Sequence, residues 1–566
     1  MIIDLSRLRS LTDNTYDVCI IGSGPAGSSL ANVLADSRAR ICVLESGAKK
    51  TTAFSDALRD LDCEGVYIKP YSRERIVGGS TATWSGLSSP LDPIDFRRRE
   101  WVRYSGWPIG LEELQPYYSL ASKLFRFPEP DRFQDTHWMH PGQTANSLPV
   151  WEQLREKVFV APATPQNFGT EYQEIYKQKN IDLFTRATVT KIDGIPENGR
   201  ATKVLLKNPH NAAFAIKAKY FVLACGGIEN PRLLLNSVYC CPNGLGNEND
   251  QVGRYFMNHL KNNYGFIKLR NKIDSLPGYF GFLSLQTDCA AYLGLRPDER
   301  VQKRLKLLNS YIRFQPMYPW SERESIESLM FLFRRSKLLL YGLKQLKKVQ
   351  VLELRDYSET GDDSPLLNER NSFGKIIRML FNIGRDLPAV IKYLHYRLLS
   401  ARKPRIRIVQ LRNFMEMEPL PTNRVTLSKR TDAFGMPLPK VNHEPGELDK
   451  YSMAAVHQIL SGELSRTGFG EMISPLSTDA EPWPIDYDAS HHIGTTRMGS
   501  DPLTSVVNKD CRLHYSPNVY IAGSSVFPTG GNANPTYTLV ALAIRLGEHI
   551  KQELQKRPQG FSCQQG

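Results

Sequence analysis

Residues 17–45 read as a strand, a glycine-rich turn, a helix and a second strand. The turn at 22–27, GSGPAG, matches the pattern GxGxxG. In such a turn Gly22 makes the sharp bend, Gly24 lets the backbone approach a pyrophosphate, and Gly27 packs the helix on the strand. Glu45 ends the second strand, where a carboxylate can accept hydrogen bonds from ribose hydroxyls. The βαβ unit predicts an α/β fold that binds a dinucleotide at the amino end of its helix.

Two features narrow the kind of dinucleotide. The Glu45 carboxylate would repel a 2′-phosphate, which disfavours NADP and leaves FAD and NAD open. A second glycine-rich element, Gly78-Gly79-Ser80, follows about fifty residues later and favours a cofactor that is held along its whole length.

The pattern of buried strands beside glycines returns later in the chain. YFVLA at 220–224 and NVYIA at 518–522 read as parallel-type strands, whereas LFTRATVTKI at 183–192 and KVLLK at 203–207 alternate as antiparallel strands do. The predicted fold is therefore a Rossmann-like dinucleotide-binding domain, discontinuous in sequence, with an inserted α+β substrate domain built on an antiparallel sheet. The first domain comprises 1–90, 180–260 and 488–566, and the second comprises 91–179 and 261–487.

The positive charge of the chain is concentrated in the second domain. The formal net charge is +14, and 17 Lys or Arg against 7 Asp or Glu between 334 and 407 account for +10 of it. Leucines and aromatic residues recur at helical spacing in this basic stretch, 331–407. Two interpretations remain open: helices that lie on an anionic membrane, which would suit a lipid-linked glycan or diphosphate-bearing substrate, and domain helices with a solvated basic face. No recognised motif accompanies the charge, so nucleic acid is not expected as a partner.

The cysteines and the apolar runs predict the compartment. Nine cysteines without CxxC spacing imply neither a disulfide framework nor a metal site. No apolar run has the length of a signal peptide or a membrane span. The sequence predicts a cytoplasmic protein with reduced thiols, with peripheral membrane contact as the alternative.

Candidate catalytic residues lie near the end of the sequence, in SHHIGTTRMGS and GGNANPTYT. The neutral imidazole of His491 or His492 can take a proton from an alcohol, and the Asn534 amide can hold the developing alkoxide without titrating. The alternative is that the histidines pack structurally and that Asn534 caps the final helix ahead of Pro535.

Six strings in order resemble the glucose–methanol–choline (GMC) family of FAD-dependent oxidoreductases. They are the N-terminal βαβ unit with Glu45, RIVGGSTATWSG, VLACGGIENPRLLLNS, QVGRYFMNH, SHHIGTTRMG, and NVYIAGSSVFPTGGNANPTYTLVALAIRLGEHI. The form AGSSVFPTGGNANPT is most similar to the bacterial sugar-oxidising, pyranose-oxidase-like branch. The resemblance implies FAD as cofactor and an α/β FAD-binding domain.

The resemblance also assigns roles to residues. It implies His491 as the catalytic base and Asn534 as the second catalytic residue. His492 remains an alternative base because the two histidines are adjacent. It implies cofactor contacts from both ends of the chain: Gly22, Gly24, Gly27, Glu45, Gly78, Gly79, Ser80, Trp84, Ser85, Val189, Gly523, Ser524, Asn534, Pro535 and Thr536.

The sequence departs from the family pattern at two places. Ala82, Thr83 and Trp84 stand where some members carry a histidine bonded to FAD, so non-covalent FAD is expected. Ala522-Gly523-Ser524 replaces an acidic residue found in many members, so contacts there come from backbone or Ser524.

The implied reaction is oxidation of a CH–OH group of a sugar or polyol by hydride transfer to flavin N5, with a pyranose as the first candidate substrate. The alternatives are a flavoprotein of the same fold without net alcohol oxidation, such as a lyase or decarboxylase, and a non-catalytic FAD-binding module. The sequence leaves the electron acceptor open between dioxygen and a quinone.

Overall fold

A computed structural model describes most of the chain. The described residues are 1–11, 14–133, 149–162, 164–274, 276, 278–280, 283–284, 289–321, 323–335, 373–398, 405–480 and 482–556.

The strands of the described residues are, in chain order, β1 (Ile2–Asp4), β2 (Thr15–Ile21), β3 (Ile41–Leu44), β4 (Asp62–Glu64), β5 (Tyr67–Ile68), β6 (Leu154–Pro162), β7 (Ile181–Thr185), β8 (Thr188–Ile195), β9 (Arg200–Lys207), β10 (Ala213–Leu223), β11 (Leu260–Asn262), β12 (Phe266–Ile273), β13 (Leu283–Ser284), β14 (Cys289–Pro297), β15 (Tyr311–Met317), β16 (Ile406–Met415), β17 (Arg424–Thr431), β18 (Pro437–Asn442), β19 (Gly470–Ile473), β20 (Asp488–Ala489) and β21 (Val519–Ile521). The helices are α1 (Pro25–Leu34), α2 (Ala53–Ala57), α3 (Pro93–Phe96), α4 (Leu111–Phe125), α5 (Phe168–Glu171), α6 (Gly226–Leu235), α7 (Glu299–Leu305), α8 (Glu324–Arg335), α9 (Phe373–Arg385), α10 (Leu387–Leu398), α11 (Glu447–Thr467) and α12 (Pro535–Gln555).

The first sheet has the strand order β1-β7-β3-β2-β10-β9-β8, and β21 also pairs with β10. Strands β1, β7, β3, β2, β10 and β21 run parallel, β9 pairs antiparallel with β10, and β8 pairs antiparallel with β9. The β2 and β3 runs are almost wholly buried, which explains their continuous apolar sequences. The sheet, with α1 and α12 packed on each other, confirms the predicted Rossmann-like α/β fold.

One strand direction was predicted wrongly. The string 183–192 was expected to be antiparallel, but β7 runs parallel to β3, and only β8 forms an antiparallel pair with β9. Arg186, with φ of 55°, separates β7 from β8. Alternating burial reports the face of a strand rather than its direction, so the sequence pattern could not distinguish the two.

The second sheet is antiparallel, with the order β13-β14-β15-β16-β12-β19; β6 pairs with β14 and β11 pairs with β16. Its strands come from two separate parts of the chain, 154–162 and 260–473. The division into domains at the stated boundaries stays a prediction.

The predicted basic stretch 331–407 is described only in part. Residues 331–335 belong to α8, α9 and α10 cover 373–398, and the strand β16 begins at Ile406, whereas 336–372 and 399–404 lie outside the described residues. Among the helices that the structure describes, none is both long and apolar enough to cross a membrane.

Candidate active site

A cavity of about 640 Å³ is lined by residues from both large sheets. On the first sheet its wall includes the segments that follow four parallel strands: 22–26 after β2, 45–46 after β3, 224–229 after β10 and 522–524 after β21. Ligands of open parallel sheets bind at this edge because the loops there point away from the strands. The second sheet covers the cavity with residues of β6, β11, β14, β15 and β16.

The glycine-rich turn has the geometry expected of a dinucleotide site. Gly22 has φ of +105°, and a Cβ there would lie 2.5 Å from the carbonyl oxygen of Ala224. A Cβ on Gly27 would lie 2.0 Å from the carbonyl oxygen of Gly22. Gly22 thus makes the turn against β10, and Gly27 brings α1 against the turn rather than lining the cavity.

Glu45 is buried at the end of β3 and lines the cavity beside this turn. Its Oε2 accepts hydrogen bonds from Ser23 N at 3.1 Å and Ser23 Oγ at 2.6 Å, and its Oε1 accepts from Gly47 N at 2.8 Å. Burial raises the pKa of Glu45, while these donors lower it. Oε2 already accepts two hydrogen bonds, whereas Oε1 accepts one and keeps a lone pair for a ribose hydroxyl.

The cavity wall leaves room for an extended cofactor. Gly24, Gly226 and Gly523 line the cavity, and a Cβ built on any of them would meet nothing within 4 Å. The amino ends of α1, α6 and α12 all contribute to the same wall, and their backbone N–H groups favour negative charge. The donors and the open space therefore fit a dinucleotide that carries a pyrophosphate.

Most of the predicted cofactor residues line this one cavity: Gly22, Gly24, Glu45, Gly79, Ser80, Trp84, Ser85, Val189, Gly523, Ser524, Asn534, Pro535 and Thr536. Gly27 and Gly78 do not. A Cβ on Gly78 would lie 2.2 Å from the backbone nitrogen of Gly169, so Gly78 packs behind the wall. Trp84 is fixed by a hydrogen bond of 2.6 Å from its Nε1 to the carbonyl oxygen of Gln166.

His491 lines the cavity and is tied to a second histidine. Its Nδ1 lies 2.8 Å from Nδ1 of His259, and the two rings meet edge to face. The His491 backbone N–H donates to Oδ1 of Asn258 at 3.2 Å. Burial, followed by the positive charge that His259 could carry, holds the pKa of His491 well below its usual range. The ring is therefore neutral at pH 7, as a general base must be.

His492 also lines the cavity, but its ring stacks on Phe256 with centroids 6.0 Å apart. Its Nε2 is buried and has no hydrogen-bond partner in the described part of the chain. Burial lowers the pKa of His492 to about 3. The two histidines thus differ in their ring partners, since His491 contacts the ring of His259 and His492 stacks on Phe256.

Asn534 stands at the amino end of α12 and lines the cavity. Its side chain makes no capping hydrogen bond. The Asn534 amide therefore does not cap the helix, as the structural alternative would require. The structure brings His491, His492 and Asn534 to the wall of one cavity.

Sequence reasoning left His259 and Asn258 without a role, although both stand at the end of the quoted string QVGRYFMNH. Met257 pairs with Ile493 in an antiparallel bridge, which sets the end of this string beside His491. The histidine at the end of a named motif was the signal that could have identified His259.

A group of buried charges on the cavity wall was also missed. Arg75 forms an ion pair of 2.9 Å with Glu229, and Arg73 pairs with the same carboxylate. Burial would raise the pKa of Glu229, but the neighbouring arginines hold it well below its usual range. Because their positions are far apart in sequence, no spacing pattern indicates these pairs.

Two family models match the parts of the chain that build this cavity. One, described as FAD dependent oxidoreductase, matches residues 17–238, and another, described as GMC oxidoreductase, matches 419–543. The chain belongs to the GMC oxidoreductases. The first match contains the glycine-rich turn and Glu45, and the second contains His491 and Asn534. The predicted family is confirmed, and with it FAD as the cofactor of this GMC oxidoreductase.

Relatives of similar length support the same family. The chain is 24% identical to a 2-methyl-1,2-propanediol dehydrogenase of Mycolicibacterium austroafricanum over 94% of this chain and 95% of that protein. It is 26% identical to the fructose dehydrogenase large subunit of Gluconobacter japonicus over 95% of this chain and 98% of that protein. The solved structure of a fungal aryl-alcohol oxidase superposes with a TM-score of 0.52 at 16% identity, covering 96% of this chain and all of that one, and shows that this GMC oxidoreductase shares its fold.

Proposed function

We propose that this GMC oxidoreductase oxidises a CH–OH group of a sugar or related polyol to a carbonyl, with His491 as the base. One observation carries the proposal: a neutral imidazole held through Nδ1 and an amide without a capping partner both line the cavity that fits the dinucleotide. The relatives named as fructose and 2-methyl-1,2-propanediol dehydrogenases support a hydroxylated substrate.

His259 sets the tautomer of the base. Burial lowers the pKa of His259, so its ring is neutral and carries a single proton, which we place on Nε2. A proton on Nε2 leaves Nδ1 of His259 as an acceptor. His491 then donates its Nδ1–H across the 2.8 Å contact and keeps the lone pair on its Nε2 for the substrate.

The chain's own residues divide the work of the reaction. The Nε2 of His491 takes the proton of the substrate hydroxyl, and the Asn534 amide donates a hydrogen bond to the oxygen as negative charge develops on it. Bound FAD would supply the acceptor for the hydride that leaves the carbon bearing this hydroxyl group. The alcohol thereby loses one proton and one hydride, which balances its conversion to a carbonyl.

Anaerobic mixing of the FAD-loaded protein with a panel of sugars and polyols tests the proposal. We expect at least one of them to bleach the flavin absorbance in a single turnover. Re-oxidation by dioxygen or by a quinone then distinguishes an oxidase from a dehydrogenase. Retention of FAD without bleaching by any alcohol would contradict the proposal and favour a lyase, a decarboxylase or a binding module.

We also propose that α9 and α10 dock on an anionic membrane surface. In α9, Met379 and Asn382 are buried against α8, yet Ile376, Ile377, Leu380 and Phe381 are exposed on the opposite face, Phe381 by 65%. Leu387 and Ile391 continue the exposed apolar surface on α10. Residues 373–398 carry five Lys or Arg and one Asp. Exposed apolar side chains beside basic ones suit the boundary between headgroups and acyl chains.

Replacing Leu380 and Phe381 together by Glu should lower binding to anionic vesicles by about tenfold or more, because the apolar contact is lost and negative charge is added. Co-sedimentation with phosphatidylglycerol and with pure phosphatidylcholine vesicles measures the effect. Leu503→Glu, at another exposed leucine, is the matched control. Equal binding to both vesicle types, or an unchanged double variant, would exclude membrane docking.

A further inference from the structure

One face of the second sheet forms a separate part of the cavity wall, which includes neither the glycine-rich turn nor His491. It is made by residues of β11, β15 and β16. In the sheet register Phe414 of β16 pairs with Tyr311 of β15 on one side and with Lys261 of β11 on the other, while Arg412 pairs with Arg313. Side chains two residues apart on a strand share a face, so Arg412 and Phe414 stand side by side. Both line the cavity.

Aromatic side chains line this part of the wall. The rings of Tyr311 and Phe414 stack with centroids 4.7 Å apart and 5° between their planes. Tyr292 extends the surface, and it stacks on Phe159 at 5.0 Å. These side chains give the wall an apolar area beside Arg412.

Arg412 is the unusual member of the face. Only 7% of the residue is exposed, and its guanidinium carbon lies 5.6 Å from the centroid of the Phe414 ring. Within the described chain, this guanidinium has no hydrogen bond and no ion pair. Arg99 shows the usual alternative, because it is also buried and donates to both carboxylate oxygens of Glu416 at 2.7 Å and 2.6 Å.

A guanidinium that is largely buried and has no protein partner stays charged, so it depends on the cavity for its hydrogen-bond partners. Contact with one aromatic ring offsets only part of the cost of burial. An arginine kept in this state at a cavity wall is explained by an anion that binds there. The fork of N–H donors matches a carboxylate or a phosphate group.

The carboxylate beside Lys261 on the cavity wall, Asp488, does not pair with Arg412. The Asp488 carboxylate lies 2.8 Å from Nζ of Lys69 and 3.2 Å from Nζ of Lys261, so one anion already faces two cations. The pyrophosphate of the dinucleotide is provided for at the amino end of α1, on the other sheet. The anion expected at Arg412 is therefore part of the substrate.

We propose that Arg412 binds a carboxylate or phosphate group of the substrate, so that the enzyme oxidises an anionic sugar or polyol. The inference rests on the proposed function and narrows its substrate class. The aromatic side chains contact the apolar part of the substrate, Arg412 binds its anionic group, and a hydroxyl of the same molecule reaches His491.

Binding and reduction measured with matched probes test this subsite. The probes are glucose, glucuronate and glucose 6-phosphate, and the readouts are the flavin difference spectrum on binding and the rate of anaerobic flavin reduction. Glucuronate or glucose 6-phosphate should bind at least about tenfold more tightly than glucose, and the better of the two distinguishes carboxylate from phosphate. Arg412→Gln should lower this ratio of affinities by about tenfold to a hundredfold, and Arg412→Lys should keep part of it.

Arg407→Gln is the matched control, because it removes the same charge from an exposed position of the same strand. It should leave the preference for the anionic probes intact. Equal binding of glucose and both anions, no spectral change with either anion, or an unchanged preference in Arg412→Gln would overturn the inference. Loss of FAD from both Arg412 variants would also overturn it, because Arg412 would then serve the cofactor or the fold.

The two readouts keep this inference separate from the proposed function. Anion binding that depends on Arg412, without flavin reduction by any alcohol, would leave the subsite standing and refute alcohol oxidation. Flavin reduction by neutral sugars, without preference for the anions, would support alcohol oxidation and refute the anion subsite.

Discussion

Replacing His491 by alanine should slow flavin reduction by substrate about 10²-fold to 10⁴-fold while FAD stays bound, because the group that takes the hydroxyl proton is lost. Stopped-flow absorbance under anaerobic conditions measures the rate, and the visible spectrum of the purified variant reports the bound flavin. A loss below about tenfold would remove His491 from the role of base.

His492→Ala is the decisive comparison, because the two histidines are adjacent. Its ring stacks on Phe256 and lacks the partner that orients His491, so we expect a smaller loss. A larger loss in His492→Ala than in His491→Ala would transfer the role to His492.

The pH dependence provides a further check on the same pair. Since the pKa of His491 is held below its usual value, the base stays neutral as the pH falls through 6.5, and the rate should decline only at lower pH. His259→Asn removes one cause of that lowered pKa, so the acid limb should move to higher pH. An unchanged acid limb would show that His259 does not influence the pKa of His491 and contributes only to packing.

Replacing Arg99 by methionine should destabilise the protein by about 3–5 kcal/mol, because it leaves the buried Glu416 carboxylate without its cation. The side chains of Arg99 and Glu416 are almost completely buried. Burial would raise the pKa of Glu416, but Arg99 lowers it, so the pair is charged at neutral pH. Calorimetric unfolding of the FAD-loaded protein measures the fall in transition temperature.

The double variant Arg99→Met with Glu416→Met controls for the loss of charge. It should recover part of the stability, but not all, because Glu416 also accepts hydrogen bonds from Asn309 N at 2.7 Å and Gly531 N at 3.3 Å. Gly531 lies three residues before Asn534, so the single variant should also weaken substrate oxidation. A single variant as stable as the parent would show that the pair contributes little.

The first βαβ unit could be predicted because its information is local. Gly22, Gly24 and Gly27 and the buried strands β2 and β3 lie within thirty residues, and their spacing indicates both fold and ligand. The direction of β7 could not be predicted, because the alternation of apolar and polar residues along a strand is the same in parallel and antiparallel pairs.

In the candidate active site, contacts between residues far apart in the sequence could not be predicted either. The string that ends in His259 indicated importance but not its partner, which stands 232 residues later. Arg412 could not be predicted at all, because what distinguishes it is the lack of a partner in the folded protein. Such a property depends on every neighbouring strand, and no sequence pattern encodes it.

Strand β10 has consequences for how the chain is made. Its first half pairs with β9, but Phe221, Val222 and Leu223 pair with β21, whose residues are synthesised about 300 positions later. A nascent chain therefore exposes an apolar strand edge for most of its translation, at a sheet that is otherwise ready to assemble. Bare edges of this kind attract other strands, so production of this protein should depend on chaperones that shield the edge until the last strand arrives.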